Sequence, residues 1–134
     1  MIRGSCLCGA VRYEVTGPLD ELHHCHCSRC RKAHGAAFAT YARARSDTFR
    51  FASGEDRVHR YRSSPPVERV FCSACGSNLL FLFEGFPDAV WIAAGTFDDD
   101  PGLRPHAHLF VGSKAPWHEI SDALAQHDAY PPQG

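Results

Sequence analysis

Cysteine is the residue type with the most chemical capacity in this chain. There are seven, in three tight groups: Cys6-x-Cys8, Cys25-x-Cys27-x-x-Cys30 and Cys72-x-x-Cys75. Thiols one or two residues apart can reach a single ion across one turn. A soft thiolate set favours zinc, which takes sulfur at about 2.3 Å in a tetrahedron. The number of cysteines is odd, and the opening MIRGSCLCGA lacks the apolar stretch of a secretory signal. Both features argue against a disulfide framework and for metal or thiol chemistry in a reducing cytoplasm.

Seven donors exceed one zinc and fall one short of two closed four-thiolate sites. A four-thiolate site is structural, whereas a three-ligand site keeps a position open for chemistry. Spacing leaves two partitions. Cys27/Cys30 with Cys72/Cys75 would form a ribbon and leave Cys6, Cys8 and Cys25 over. Alternatively Cys6/Cys8 join Cys72/Cys75 and leave the compact trio Cys25, Cys27, Cys30. The second is preferred, because three ligands within one short run can face one ion without distant help. A histidine from His23-His24-Cys25-His26-Cys27, or His34, could close the trio into a purely structural site. Gly9 and Gly76 follow the outer ligand pairs, where a turn can use φ > 0 and aim N–H groups at sulfur.

Other residues near the trio suggest roles. Arg29, Arg31 and Lys32 offer charge against the thiolates or against substrate carboxylates, or are simply solvated. His26 and His34 are candidate proton carriers or groups that orient a ligand, or simply surface or packing residues. Ser28 either donates to a sulfur or caps a short helix. Phe81, Phe83, Trp91 and Phe97 read as core, Trp117 as pocket wall or packing, and Asp98-Asp99-Asp100 as a solvated turn rather than a hard-cation site.

These residues must be positioned by a small β framework. The pattern predicts strands over residues 10–16, 36–41, 48–51, 58–61 and 67–71. Strands over 78–83 and 89–93 flank a Gly-Phe-Pro-Asp turn as a hairpin, and a further strand covers 106–111. Helix is predicted only over Ser28–His34, with a weak piece at Ser121–Gln126. This is a mainly β, antiparallel domain over residues 1–129, with a tail at 130–134. With 134 residues, 44% hydrophobic and 22% charged, it is a single globular domain. A net charge of −1 and no basic stripe weigh against nucleic acid. Greasy runs such as LLFLF are too short to span a membrane.

Gly4-Ser-Cys-Leu-Cys-Gly-Ala-Val-Arg-Tyr13, Cys25-His-Cys-Ser-Arg-Cys-Arg-Lys32 with Gly35 and Phe38, and Phe71-Cys-Ser-Ala-Cys-Gly76 together resemble the glutathione-dependent formaldehyde-activating enzyme family, which includes the centromere protein V-like domain. Ser113-Lys-Ala-Pro-Trp117 is also similar to a family segment. The resemblance implies a tent-like, zinc-bound fold of stacked antiparallel sheets with two zinc ions per chain. By motif position, Cys6, Cys8, Cys72 and Cys75 would hold a structural zinc, and Cys25, Cys27 and Cys30 a catalytic one. The implied activity is that of a carbon–sulfur lyase joining a small thiol such as glutathione to formaldehyde. The alternative is a non-catalytic, zinc-stabilised interaction module.

Overall fold

The computed structural model describes residues 1–130. Its strands are β1 (Ile2–Ser5), β2 (Arg12–Val15), β3 (Glu21–Cys25), β4 (Ala39–Arg45), β5 (Phe49–Ser53), β6 (Val58–Ser64), β7 (Val67–Cys72), β8 (Asn78–Phe83), β9 (Ala89–Ala93), β10 (Ala107–Leu109) and β11 (Ala125–Gln126), with one helix, α1 (Ser28–His34), between β3 and β4. They form a three-stranded sheet, β1-β2-β5, and an eight-stranded sheet, β11-β10-β3-β4-β9-β8-β7-β6. Pairing is antiparallel except at one edge, where β10 runs parallel to both β3 and β11.

The period-two alternation of strands divides the molecule into two cores. Ala44, Cys72, Leu79, Val90 and Ile92 from one face of the large sheet pack with Val11, Tyr13 and Val15 around the small sheet. The opposite face carries Tyr41, Trp91 and Ala93 together with Cys25 and Cys30, and Phe81 and Phe83 pack against them. Residues 69 and 72 illustrate the division. Cys72 belongs to the first core, whereas Arg69, three positions earlier on the same strand, reaches Cys30 on the other face. Phe81, Phe83 and Trp91 are thus core residues that also wall the trio, Phe81 stacking on Trp91 at 5.0 Å. Phe97 packs in the first core.

Every strand expected from the pattern is present, with shifted ends, and α1 has its expected bounds. Three elements differ. Strands β1 and β3 had no alternating signature. The expected helical piece at Ser121–Gln126 is not a helix. Asp122 accepts the Leu124 N–H at 3.0 Å and binds the His108 ring, and these competing bonds draw the backbone into an irregular turn that leads into β11. Of the expected tail, Tyr130 packs on Phe110 with ring centroids 4.9 Å apart, and residues 131–134 lie outside the described residues. No helix among the described residues is long and apolar enough to cross a membrane.

Candidate metal centre

The four-sulfur cluster sits where the two sheets join. The loop after β1 brings Cys6 and Cys8, and the end of β7 with its following turn brings Cys72 and Cys75. These four sulfurs all lie within 4.8 Å of one another. A zinc tetrahedron with 2.3 Å bonds has S–S edges of about 3.8 Å. The Cys6–Cys8 and Cys8–Cys72 separations are 3.6 and 3.9 Å, close to that edge, so the donor set fits that ion. Gly9 and Gly76 have φ of +78° and +81°, which L side chains resist. Their N–H groups close the two knuckles onto the Cys6 and Cys72 carbonyls at 3.1 and 2.7 Å, rather than pointing at sulfur as the spacing suggested. The sulfur-directed donor is Val11, whose N–H reaches Cys6 Sγ at 3.3 Å. Ser77 takes the Leu7 N–H at 2.8 Å and lies 3.3 Å from Cys75 Sγ. Its hydroxyl, followed by its backbone N–H, holds the Cys75 thiol down to about 5, ready to ligate as thiolate.

The second cluster lies on the other face of the large sheet. Cys25 ends β3, Cys27 is the N-cap of α1 and Cys30 lies in its first turn. The three sulfurs again lie within 4.8 Å of one another. Of the two partitions that spacing leaves open, the structure assembles this one. The Cys30 N–H donates to Cys27 Sγ at 3.3 Å. Together with the thiols of Cys25 and Cys30, which lead this effect, it holds the Cys27 thiol well below its ordinary value, while the Cys25 thiol is pushed up. Cys27, not Ser28, therefore caps the helix. Asn78 of β8 fixes the far end of α1 by donating to the Ala33 carbonyl at 2.8 Å.

Among the described residues, no histidine nitrogen or carboxylate joins the three sulfurs. His26 is fully buried and turned elsewhere: its Nε2 lies 2.8 Å from His108 Nδ1, and His108 Nε2 lies 2.9 Å from the Asp122 carboxylate. The carboxylate accepts, so in neutral rings His108 carries its proton on Nε2 and receives one from His26 Nε2. Burial, then His108, lowers the His26 pKa to about 4. Backbone continues the clamp, since the His26 N–H donates to the Leu109 carbonyl at 2.9 Å. His34 instead meets the Tyr41 hydroxyl at 2.8 Å.

Charge reaches the trio from an unexpected strand. Arg69 of β7 is buried and lies 3.8 Å from Cys30 Sγ. Of the flanking cations, Arg29 and Lys32 are exposed, and Arg31 is half-buried with its Nε lacking a hydrogen-bond partner among the described residues. The sequence signal for Arg69 was an arginine inside the apolar strand Val-Glu-Arg-Val-Phe-Cys, next to a cysteine knuckle. Phe110, in a left-handed conformation at φ 57°, packs against the trio's core and carries Tyr130 on its ring. Burial, and after it Cys25, Cys27 and Cys30, raises the Tyr130 phenol pKa.

Remaining candidates take other roles. Trp117 is exposed and lines an open surface hollow of about 490 Å³ with Lys114 and His118. Asp98 accepts from Ser5, while Asp99 pairs with Arg3 and Asp100 with Arg104, so one hydroxyl and two ion pairs tie the acidic run down.

A β protein with a four-sulfur cluster at the join of its sheets and a three-sulfur cluster on the outer face of the larger sheet defines a class with two cysteine clusters, each able to hold a metal ion. The family model "Glutathione-dependent formaldehyde-activating enzyme" matches residues 1–113, and the chain belongs to that family. A Halomonas elongata protein named "Putative glutathione-dependent formaldehyde-activating enzyme" is 34% identical over 128 residues, covering 90% of this chain and 81% of that one. An uncharacterized lyase of Schizosaccharomyces pombe is 25% identical over 119 residues, covering 89% and 85%. A crystal structure of a Rhodobacter sphaeroides protein superposes with a TM-score of 0.62 at 26% identity, covering 77% of this chain and 91% of that one.

Proposed function

We propose that this protein is a zinc-dependent lyase that makes or breaks a carbon–sulfur bond between a small thiol of the glutathione type and an aldehyde such as formaldehyde. In this reading Cys6, Cys8, Cys72 and Cys75 hold a structural zinc, and Cys25, Cys27 and Cys30 hold the catalytic one. The observation that carries it is the trio: three sulfurs within 4.8 Å of one another with no fourth donor from the described residues. Family membership and the names of the relatives support the same chemistry.

A zinc bound there supplies Lewis acidity and an open position that favours a thiol as its thiolate. The chain's own residues do the rest. The clamp from Asp122 through His108 to His26 fixes the backbone between Cys25 and Cys27. The helix cap at Cys27 fixes the third donor relative to the other two. Phe81, Phe83 and Trp91 exclude water from the inner wall, and Arg69 brings positive charge. In the forward reaction the thiolate sulfur attacks the aldehyde carbon and a C–S bond forms. The C=O π pair moves to oxygen, which takes a proton to give an S-hydroxymethyl adduct; the reverse breaks that bond. Proximity supplies most of the acceleration for so reactive a pair. The reading also puts the protein in a reducing cytoplasm, where its seven cysteines, none of them in a disulfide, stay reduced.

The test is calorimetry of glutathione binding to zinc-loaded wild type and Cys27→Ser in buffers of different ionisation enthalpy. Binding by wild type alone, with release of a proton, is expected, together with adduct formation above the uncatalysed rate. A histidine on the fourth position with no thiol binding would leave the structural interaction module as the function.

A further inference from the structure

We propose that Arg69 is the charge-compensating residue of the trio and makes it select an anionic sulfur ligand over a neutral nitrogen ligand. This inference rests on the trio being a thiol-binding metal site. Three thiolates already outweigh a divalent ion by one charge, and a fourth, from substrate, outweighs it by two. Such a centre favours a neutral fourth ligand, such as imidazole or water, unless a fixed cation stands beside it.

Arg69 meets the requirements of that cation. It is 9% exposed, so solvent screens it little. Its Nη2 lies 3.8 Å from Cys30 Sγ, and its guanidinium lies 5.9 Å from the Phe81 ring centroid. Its other partners are uncharged: Nη1 donates to the Tyr41 hydroxyl at 3.0 Å and Nε to the Ser63 hydroxyl at 3.1 Å. Among the described residues it forms no ion pair with a carboxylate, although Arg3, Arg43, Arg45, Arg50 and Arg104 all do. A buried guanidinium without a counter-ion is costly, and among the described residues the anions its geometry offers are the trio's sulfurs.

The network also holds it in place. Arginine has no acceptor, so Tyr41 must accept from Arg69, and its single proton is then directed to His34 Nε2, 2.8 Å away. The path Arg69 to Tyr41 to His34 runs from β7 through β4 to the end of α1. It links three of the elements around the trio and fixes the cation against Cys30.

The experiment compares two probes by calorimetry on zinc-loaded protein, with zinc content measured in each sample. One is 2-mercaptoethanol, which enters as thiolate, and the other is imidazole, which enters neutral. Arg69→Gln is expected to weaken mercaptoethanol binding at least about tenfold and to change imidazole binding less than about threefold. Ser63→Asp leaves Arg69 in place but gives it a carboxylate partner, so it is expected to act in the same sense even if Arg69→Gln does not fold. Arg69→Lys is expected to retain most of the thiol preference. Equal losses for both probes, or none for either, in Ser63→Asp and in any folded Arg69→Gln would overturn the inference. If wild type takes imidazole but no thiol, the proposed function falls and this inference with it. If wild type takes the thiol and the variants take it equally well, only the inference falls.

Discussion

The two clusters should differ sharply in what they contribute to folding, and Cys72→Ser against Cys27→Ser measures the difference. Cys72 has no exposed surface, and its sulfur is 3.9 Å from that of Cys8, 64 residues away in the chain. A cross-link closing a loop of that size removes about 4 kcal/mol of chain entropy from the unfolded state by the relation used for disulfides. That figure is a floor, since structural zinc in small peptides contributes about 10–16 kcal/mol. At about 3–5 °C per kcal/mol for a chain of this size, Cys72→Ser should lower Tm by at least about 12 °C or leave the protein insoluble. Cys27 closes only the short Cys25–Cys30 loop, for which the same relation gives about 2 kcal/mol. Serine is also a preferred N-cap and can accept the Cys30 N–H in place of sulfur. Cys27→Ser should therefore lose one metal and less than about 10 °C. Thermal melts followed by circular dichroism, with metal content of each sample, decide the matter. A Cys27→Ser protein that melts as low as Cys72→Ser, or lower, would refute the assignment of roles.

A mild chelator should remove one zinc equivalent while the far-ultraviolet circular dichroism stays constant, with the second equivalent leaving only as the protein unfolds; simultaneous loss would contradict two unequal sites. Burial, reinforced by Arg69, lowers the His34 pKa to about 4 from 6.5. The unfolded chain thus takes up this proton first as pH falls, and stability is full above about pH 6.5 and declines toward pH 4. His34→Gln should flatten urea-unfolding free energies across that window by up to one proton's worth of slope, and parallel curves would count against it. Gly54 has φ +77°, and a Cβ there would run into the Ala10 carbonyl oxygen. Gly54→Ala should thus cost about 2–4 kcal/mol and lower Tm by about 10 °C, and a loss under 3 °C would contradict it.

Much of the site was legible because its donors are local. Cys25, Cys27 and Cys30 sit within one strand end and one helical turn, and tight spacing is itself the signal for a shared ion. The alternating strands and the Gly-Phe-Pro-Asp hairpin were legible for the same reason. Strand β3 was not, because it is sandwiched between β4 and β10 and its run Glu-Leu-His-His-Cys reads as ligands rather than as alternation. The partners of the trio were hidden by distance. Arg69 is 39 residues from Cys30, and the His26–His108 pair is separated by 82. Only pairing of β3 with β10, and of β4 through β9 and β8 with β7, brings them together. Nor could spacing show that the large sheet places one cluster on each of its faces, since that follows from register: Val70 and Cys72 point one way and Arg69 the other.

Two metal centres of unequal closure, one of them open to a thiol, can be seen by diffraction at the zinc absorption edge from crystals grown with glutathione. Two anomalous peaks are expected: one ringed by the sulfurs of Cys6, Cys8, Cys72 and Cys75, and one by those of Cys25, Cys27 and Cys30 with the glutathione sulfur as fourth ligand. A single peak, or a second peak whose fourth ligand is a histidine of the chain with glutathione present in excess, would contradict it.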